Sequence, residues 1–75
     1  MKQKDFIMNT AALVVADEVE INVKTTLELN GRYIIQTIIG FYIFSDKERI
    51  LISNDKGKHL FLHTKIISIR KVNKK

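Results

Sequence analysis

Two histidines, His59 and His63, and the cations Lys56, Lys58, Lys65, Arg70, Lys71, Lys74 and Lys75 all fall in the last twenty residues of a 75-residue chain. Imidazoles four residues apart suggest a metal site, so the distance decides. On a strand, four residues span about 13 Å, whereas a bond from a metal to its ligand is about 2 Å long. The two rings therefore cannot be neighbouring ligands of one ion within one chain. No third ligand cluster accompanies them, and there is no cysteine to supply thiolates. Single histidines converging around a symmetric oligomer are the lesser alternative. Ser45, Ser53 and Ser68 have no base or acid nearby in sequence. Three isolated glycines make no phosphate-cradling loop. No catalytic residue, metal or cofactor is assigned, and an enzyme is not expected.

The cations themselves carry more information. Residues 1–45 hold four Lys/Arg and five Asp/Glu, and residues 46–75 hold nine and three, so a half of charge −1 precedes a half of charge +6. A basic segment attracts polyanions such as nucleic acid or an anionic membrane surface. The plainer reading is a solvated surface that keeps the protein soluble. Phe61 lies among the cations, and Tyr33, Phe41, Tyr42 and Phe44 precede them. Basic groups that hold phosphates, beside rings that stack on bases, are the equipment of single-strand binding. Against this, such aromatics also serve as core. The candidate nucleic-acid contacts are Lys56, Lys58, His59, Lys65, Arg70 and Lys71.

Those residues must be positioned by a small scaffold. A chain of this length forms one domain, residues 1–75, and buries only about 60–65% of the surface its unfolded form exposes. Without disulfides it gains most from partner subunits. Apolar residues make up 45% and charged residues 28%, which is globular rather than disordered. Isoleucine occurs twelve times, favouring a pleated sheet. The opening "MKQK" and "FIMNTAALVVA" is loosely like a secretion signal. Asp5, Asn9 and Thr10 interrupt it, and the apolar run is too short for a membrane span, so neither is expected. A reducing cytoplasm is compatible with the composition.

Residues 3–13 are expected as a short helix with Phe6, Ile7 and Ala11 toward the body. "ALVVA" (Ala12 to Ala16) reads equally as strand, and strand onset is placed after Leu13. From Glu20 the pattern is clear. Ile21, Val23, Thr25, Leu27 and Leu29 alternate with polar residues, as in a half-buried strand. Asn30–Gly31 then predicts a two-residue type I′ hairpin. The second strand, Arg32 to Phe44, is apolar on both faces. Tyr33, Ile35, Ile39, Phe41 and Ile43 line one face, and Ile34, Ile38, Tyr42 and Phe44 the other. Gly40 is the expected bulge or corner. Arg49 to Ser53, Lys58 to His63 and Ile66 to Val72 give three further strands, with Ile67 and Ile69 on one face. Residues 73–75 are a basic end expected to fray.

Five antiparallel strands with short turns, the second long and bent, predict an all-β, five-stranded SH3/Sm-like barrel with a short N-terminal helix. An OB barrel is disfavoured because only four residues join the third and fourth strands. From Val23 onward the chain resembles the Sm-like superfamily, which includes the Hfq-like proteins. The resemblance rests on "LNG" (Leu29 to Gly31), "QTIIGF" (Gln36 to Phe41) and "KHLFLHTKIISI" (Lys58 to Ile69). It covers about fifty residues. The segment from Ile38 to Ile69 is also similar to YolD-like proteins, another Sm-like group. Where Hfq-like chains carry Tyr-Lys-His before the last strand, this chain reads Leu62-His63-Thr64-Lys65, so no RNA-contact residue is carried over. The resemblance implies a ring in which the fourth strand of one subunit pairs with the fifth of its neighbour.

Together these features predict a non-enzymatic, cytoplasmic homo-oligomer that binds RNA or another single-stranded nucleic acid, with no membrane partner. The alternative is a protein-interaction or assembly module of phage or mobile-element origin that binds no nucleic acid. An SH3-like domain on duplex DNA is the third reading.

Overall fold

Phe6 and Thr10 are one helical turn apart, so a helix places both on one face. Helix α1 (Gln3–Ala11) does so and buries both. The Thr10 hydroxyl donates to the Phe6 carbonyl at 3.0 Å, which satisfies a buried polar group within the helix. Ile7 and Ala11, expected on the inner face, remain exposed. The computed structural model describes residues 1–29 and 31–72, and their side chains except at 26–29, 32 and 33. The basic end, 73–75, lies outside the described residues.

Strands β1 (Glu18–Leu29), β2 (Arg32–Ser45), β3 (Arg49–Asn54), β4 (Gly57–Leu62) and β5 (Ile66–Lys71) follow. A 3-10 turn, His63–Lys65, links the last two. The strands form one antiparallel sheet in the order β4-β3-β2-β1-β5. This corrects the expected barrel, because β4 and β5 are the two edges and no ladder joins them. Other groups hold the turn that links β4 to β5. The Met1 amino group donates to the carbonyls of His63 and Ile66, and His63 N–H donates to the Glu48 carbonyl. Among the described residues, no helix is long and apolar enough to cross a membrane.

"ALVVA" is neither helix nor strand. Val14 to Asp17 form a tight turn, closed by Asp17 N–H on the Val14 carbonyl at 3.0 Å. The β1–β2 connection is a two-residue hairpin, since Leu29 pairs with Arg32. Gly31 takes φ +74°, as the sequence requires. The type I′ assignment depends also on Asn30, which lies outside the described residues.

In the first part of β1 the alternation is as the sequence predicts, with Ile21 and Val23 buried along with Val19, and the register with β2 then shifts between Lys24 and Glu28. Val19, Ile21 and Val23 form the core with Phe6, Ile50, Ile52 and Ile66. Burying each such side chain contributes about 1.5–3 kcal/mol. In β2, Ile38 and Tyr42 pack against the core, while Ile39 and Phe41 face outward and remain about half exposed. The bulge in β2 lies between Tyr42 and Phe44, not at Gly40. It makes Ile43 the extra residue and turns Phe44 outward. Gly40 serves close approach instead: a Cβ there would sit 2.9 Å from the Ser53 carbonyl oxygen and 3.1 Å from Ile52 Cδ1. A second bulge, opposite Asn22–Val23, breaks the expected alternation of β5. Ile66 and Ile69, rather than Ile67 and Ile69, therefore face the core.

Two textures share the outer face. On β5, β1 and adjoining β2 it is polar, with Asn22 bonded to both Ser68 and Thr37. Across β2, β3 and β4 it is apolar. Ile39, Phe41, Phe44, Leu60 and Leu62 all remain exposed there.

Candidate nucleic-acid interface

The β3–β4 hairpin turns through Asp55 and Lys56, with Asn54 opposite Gly57 and Gly57 at φ +118°. Asn54 organises this end. Its Nδ2 donates to the Ile39 carbonyl at 3.1 Å, and its Oδ1 accepts Lys56 N–H at 2.9 Å. Those two bonds fix which end of the amide is oxygen. The His59 Nε2, 3.0 Å from the same Oδ1, is therefore the donor, and neutral His59 carries its lone pair on Nδ1. His59 and Phe61, two residues apart on β4, hold near-parallel rings with centroids 6.2 Å apart and planes 5° apart. Both belong to the inner face, opposite Ile52 and Ile50.

Beside this wall β2 has an open edge. Its ladder with β3 runs only from Phe41 to Ser45. Strand backbone groups point alternately to the two neighbouring strands. Tyr42 bonds toward β1 through Asp17 and Ala16, and the Ile39 carbonyl points toward β3. Ile35 and Thr37 therefore direct their N–H and C=O groups to the side where no described strand pairs. Between that edge and the hairpin lies a cavity of about 470 Å³, lined by Gln36, Thr37, Ile38, Asn54, His59 and Phe61 among others, with Lys56 and Asp55 on its rim.

The structure divides the six candidate contacts into three groups. Lys56 and His59 meet at this cavity, and Lys58 stands on the outer face of the same hairpin opposite Ser53. Lys65 lies elsewhere, in the 3-10 turn, where it lines a smaller cavity of about 190 Å³ with Thr64, Lys24 and Thr25. Arg70 and Lys71 are on β5, the opposite edge of the sheet. Arg70 donates to Glu20 at 2.8 Å, and the Lys71 ammonium is 3.4 Å from the Asp17 carboxylate. Lys56, Lys58 and Lys65 have no ion pair among the described residues.

The two histidines also divide. The His63 Nδ1 donates to the Met1 carbonyl at 2.9 Å, and its ring lies 5.8 Å from Phe6, so it ties the N-terminal segment to the sheet. Among the described residues, no group of three His, Cys, Asp or Glu converges on a common point. Arg49 pairs locally with Asp46 at 3.2 Å. Asp46 is held below the ordinary carboxylate range, first by the Glu48 backbone N–H it accepts and then by Arg49.

Asn54 and Gln36 were not candidates on sequence. "NDKG" announces a turn, but the reach of Asn54 to β2 and to His59 depends on strand register, which the turn signal does not contain. Gln36 gave no signal. Comparison of the chain with protein-family models, with curated proteins and with solved structures gave no match.

Proposed function

We propose that this chain is a non-enzymatic protein that binds RNA or another single-stranded nucleic acid as a homo-oligomer. The observation that carries this reading is the β3–β4 hairpin. Lys56 and Lys58 are unpaired among the described residues; Lys56 lines a cavity that His59 and Phe61 also line, and Lys58 stands on the outer face of the same hairpin. Unpaired cations contribute net attraction to phosphates, whereas cations already paired with carboxylates contribute little at a distance. Lys56, Lys58 and His59 form the primary contact in this reading. Lys65 is a separate basic point.

Assembly is supported by the edges and the outer face. An open sheet leaves two rows of backbone groups available for pairing. The order of the strands puts β4 at one edge and β5 at the other, which is what the Sm-like ring implied by the sequence resemblance requires. In this reading a neighbour completes what one chain leaves open. The exposed Ile39, Phe41, Phe44, Leu60 and Leu62 form the kind of apolar patch that a lone soluble subunit seldom presents. That patch is also the observation favouring the second reading, an assembly module without nucleic acid.

Light-scattering mass combined with a salt series on oligo(A), oligo(U) and duplex DNA tests both parts. The expected results are a multiple of the 8.7 kDa chain mass and single-strand affinity that falls linearly with log salt. A multimer indifferent to all three nucleic acids would leave the assembly module. A monomer at micromolar concentration would remove the ring.

A further inference from the structure

We infer that the cavity between the open edge of β2 and the β3–β4 hairpin is a pocket for one unstacked nucleobase of a bound single strand. The inference rests on the nucleic-acid reading above and specifies its site.

Recognition of an unstacked base combines a ring to stack on with donors and acceptors for the base edge. The residues that line the cavity include both kinds. His59 and Phe61 share one ring orientation, so a planar ligand lying against either is parallel to both. Gln36 and Thr37 line the same cavity, and the N–H and C=O of Thr37 point to the side of β2 where no described strand pairs. The backbone pair presents a donor next to an acceptor, the arrangement found along base edges. Asn54 fixes the orientation of the His59 ring by accepting from Nε2. At about 470 Å³ the cavity falls within the range of roughly 300–1,000 Å³ typical of small-ligand sites. Lys56 lines the cavity and supplies a cation for an adjoining phosphate. Asp55 also lines the rim, so the backbone of the strand passes on the lysine side.

The same edge of β2 could in principle receive an added peptide strand. Asn54 weighs against that. Its side chain already occupies the Ile39 carbonyl, one of the acceptors an incoming strand needs. The remaining free edge is short and ends against a basic, aromatic wall.

The test compares a uridine hexamer with an abasic hexamer of equal phosphate number, using ¹⁵N-labelled full-length protein. The expected result is that the uridine hexamer binds about tenfold more tightly, the scale of one base–aromatic stack, and shifts the amides of Thr37, Lys56 and His59. Phe61→Leu should reduce uridine-hexamer affinity to the abasic level. Because Phe61 also packs on the core, Gln36→Ala supplies a variant at an exposed position. It should lower affinity for the uridine hexamer and leave that for the abasic hexamer unchanged. Equal affinity of wild type for both hexamers would overturn the pocket and keep a phosphate-only nucleic-acid reading. No binding of either would overturn both. Shifts at Thr37 produced by an alternating Val-Thr peptide, and not by the uridine hexamer, would overturn the pocket in favour of strand addition.

Discussion

At the tip of the β3–β4 hairpin, Lys56 and Lys58 have no ion pair among the described residues, whereas on β5 Arg70 faces Glu20 of β1 and Lys71 faces Asp17 of the turn before it. In sequence these four residues are one basic run. In the sheet they sit on opposite edges, and only those on β5 have an ion-pair partner among the described residues. Arg70 and Glu20 are directly opposed across the β1–β5 ladder, so that pair is a cross-strand contact that also helps set register. The hairpin has no acidic strand beside it. In the proposed nucleic-acid reading, net charge alone would overstate the contact surface, and the location of the acids would decide where it lies.

The largest expected effect comes from disturbing the position of the hairpin. Gly40→Ala puts a methyl group against the Ser53 carbonyl at 2.9 Å and against Ile52. Overpacking of this kind costs about 1–3 kcal/mol, and each kcal/mol lowers the midpoint of a domain this size by about 4–8 °C. A fall of about 10 °C by calorimetry is expected. Amide shift changes should concentrate at residues 39–41 and 52–59, leaving the Glu20–Arg70 side in place. A variant as stable as wild type would mean that β3 does not approach β2 this closely.

This glycine also shows how far sequence reading reached. The five strands and the first hairpin follow from alternation, β-branching and turn residues, whereas residues 3–16 read as either helix or strand. Gly40 was legible as special, but its reason was not, because the atom it accommodates belongs to Ser53, thirteen residues later on another strand. The faces of β2 and β5 were misassigned where bulges occur at Ile43 and Ile67. A bulge shifts the two-residue period, and neither position carries a glycine or other local sign. Of the candidate contacts, the cluster Lys56, Lys58 and His59 was legible because neighbours on one hairpin stay together. The pairing of Arg70 and Lys71 was not, because Glu20 and Asp17 are about fifty residues away in sequence.

A smaller effect separates the two ends of the basic run directly. Each phosphate contact on a single strand contributes about 0.7 to the salt slope. Lys56→Gln combined with Lys58→Gln should therefore reduce the slope by about 1.4, and extrapolation from a 1 M reference to about 0.15 M salt converts this to roughly tenfold weaker binding. Arg70→Gln with Lys71→Gln should weaken binding by only about twofold, because the carboxylates of Glu20 and Asp17 already offset those charges. Fluorescence anisotropy with a labelled oligo(U) reads both. The reverse order would move the interface to β5.

The smallest expected effect has the opposite sign and tests the β5 side as scaffold. Ala16 has φ +76°, the one described non-glycine residue in that region. It is held there because its N–H donates to the Tyr42 carbonyl while Asp17 N–H closes the turn on Val14. The Asp17 carboxylate then accepts Val14 N–H at 2.9 Å and faces Lys71. Three bonds therefore depend on one left-handed residue, a conformation that costs an L-amino acid about 1–2 kcal/mol. Glycine removes that cost but adds about 0.5–1 kcal/mol of backbone entropy. Ala16→Gly should thus stabilise the protein by about 0.5 kcal/mol, a rise of about 2–4 °C. If the turn and the Asp17–Lys71 pair serve only to hold β1 against β5, oligonucleotide affinity should not change with this gain. An affinity that rises or falls along with stability would join the two ends of the basic run into one surface, and would break the division drawn between them.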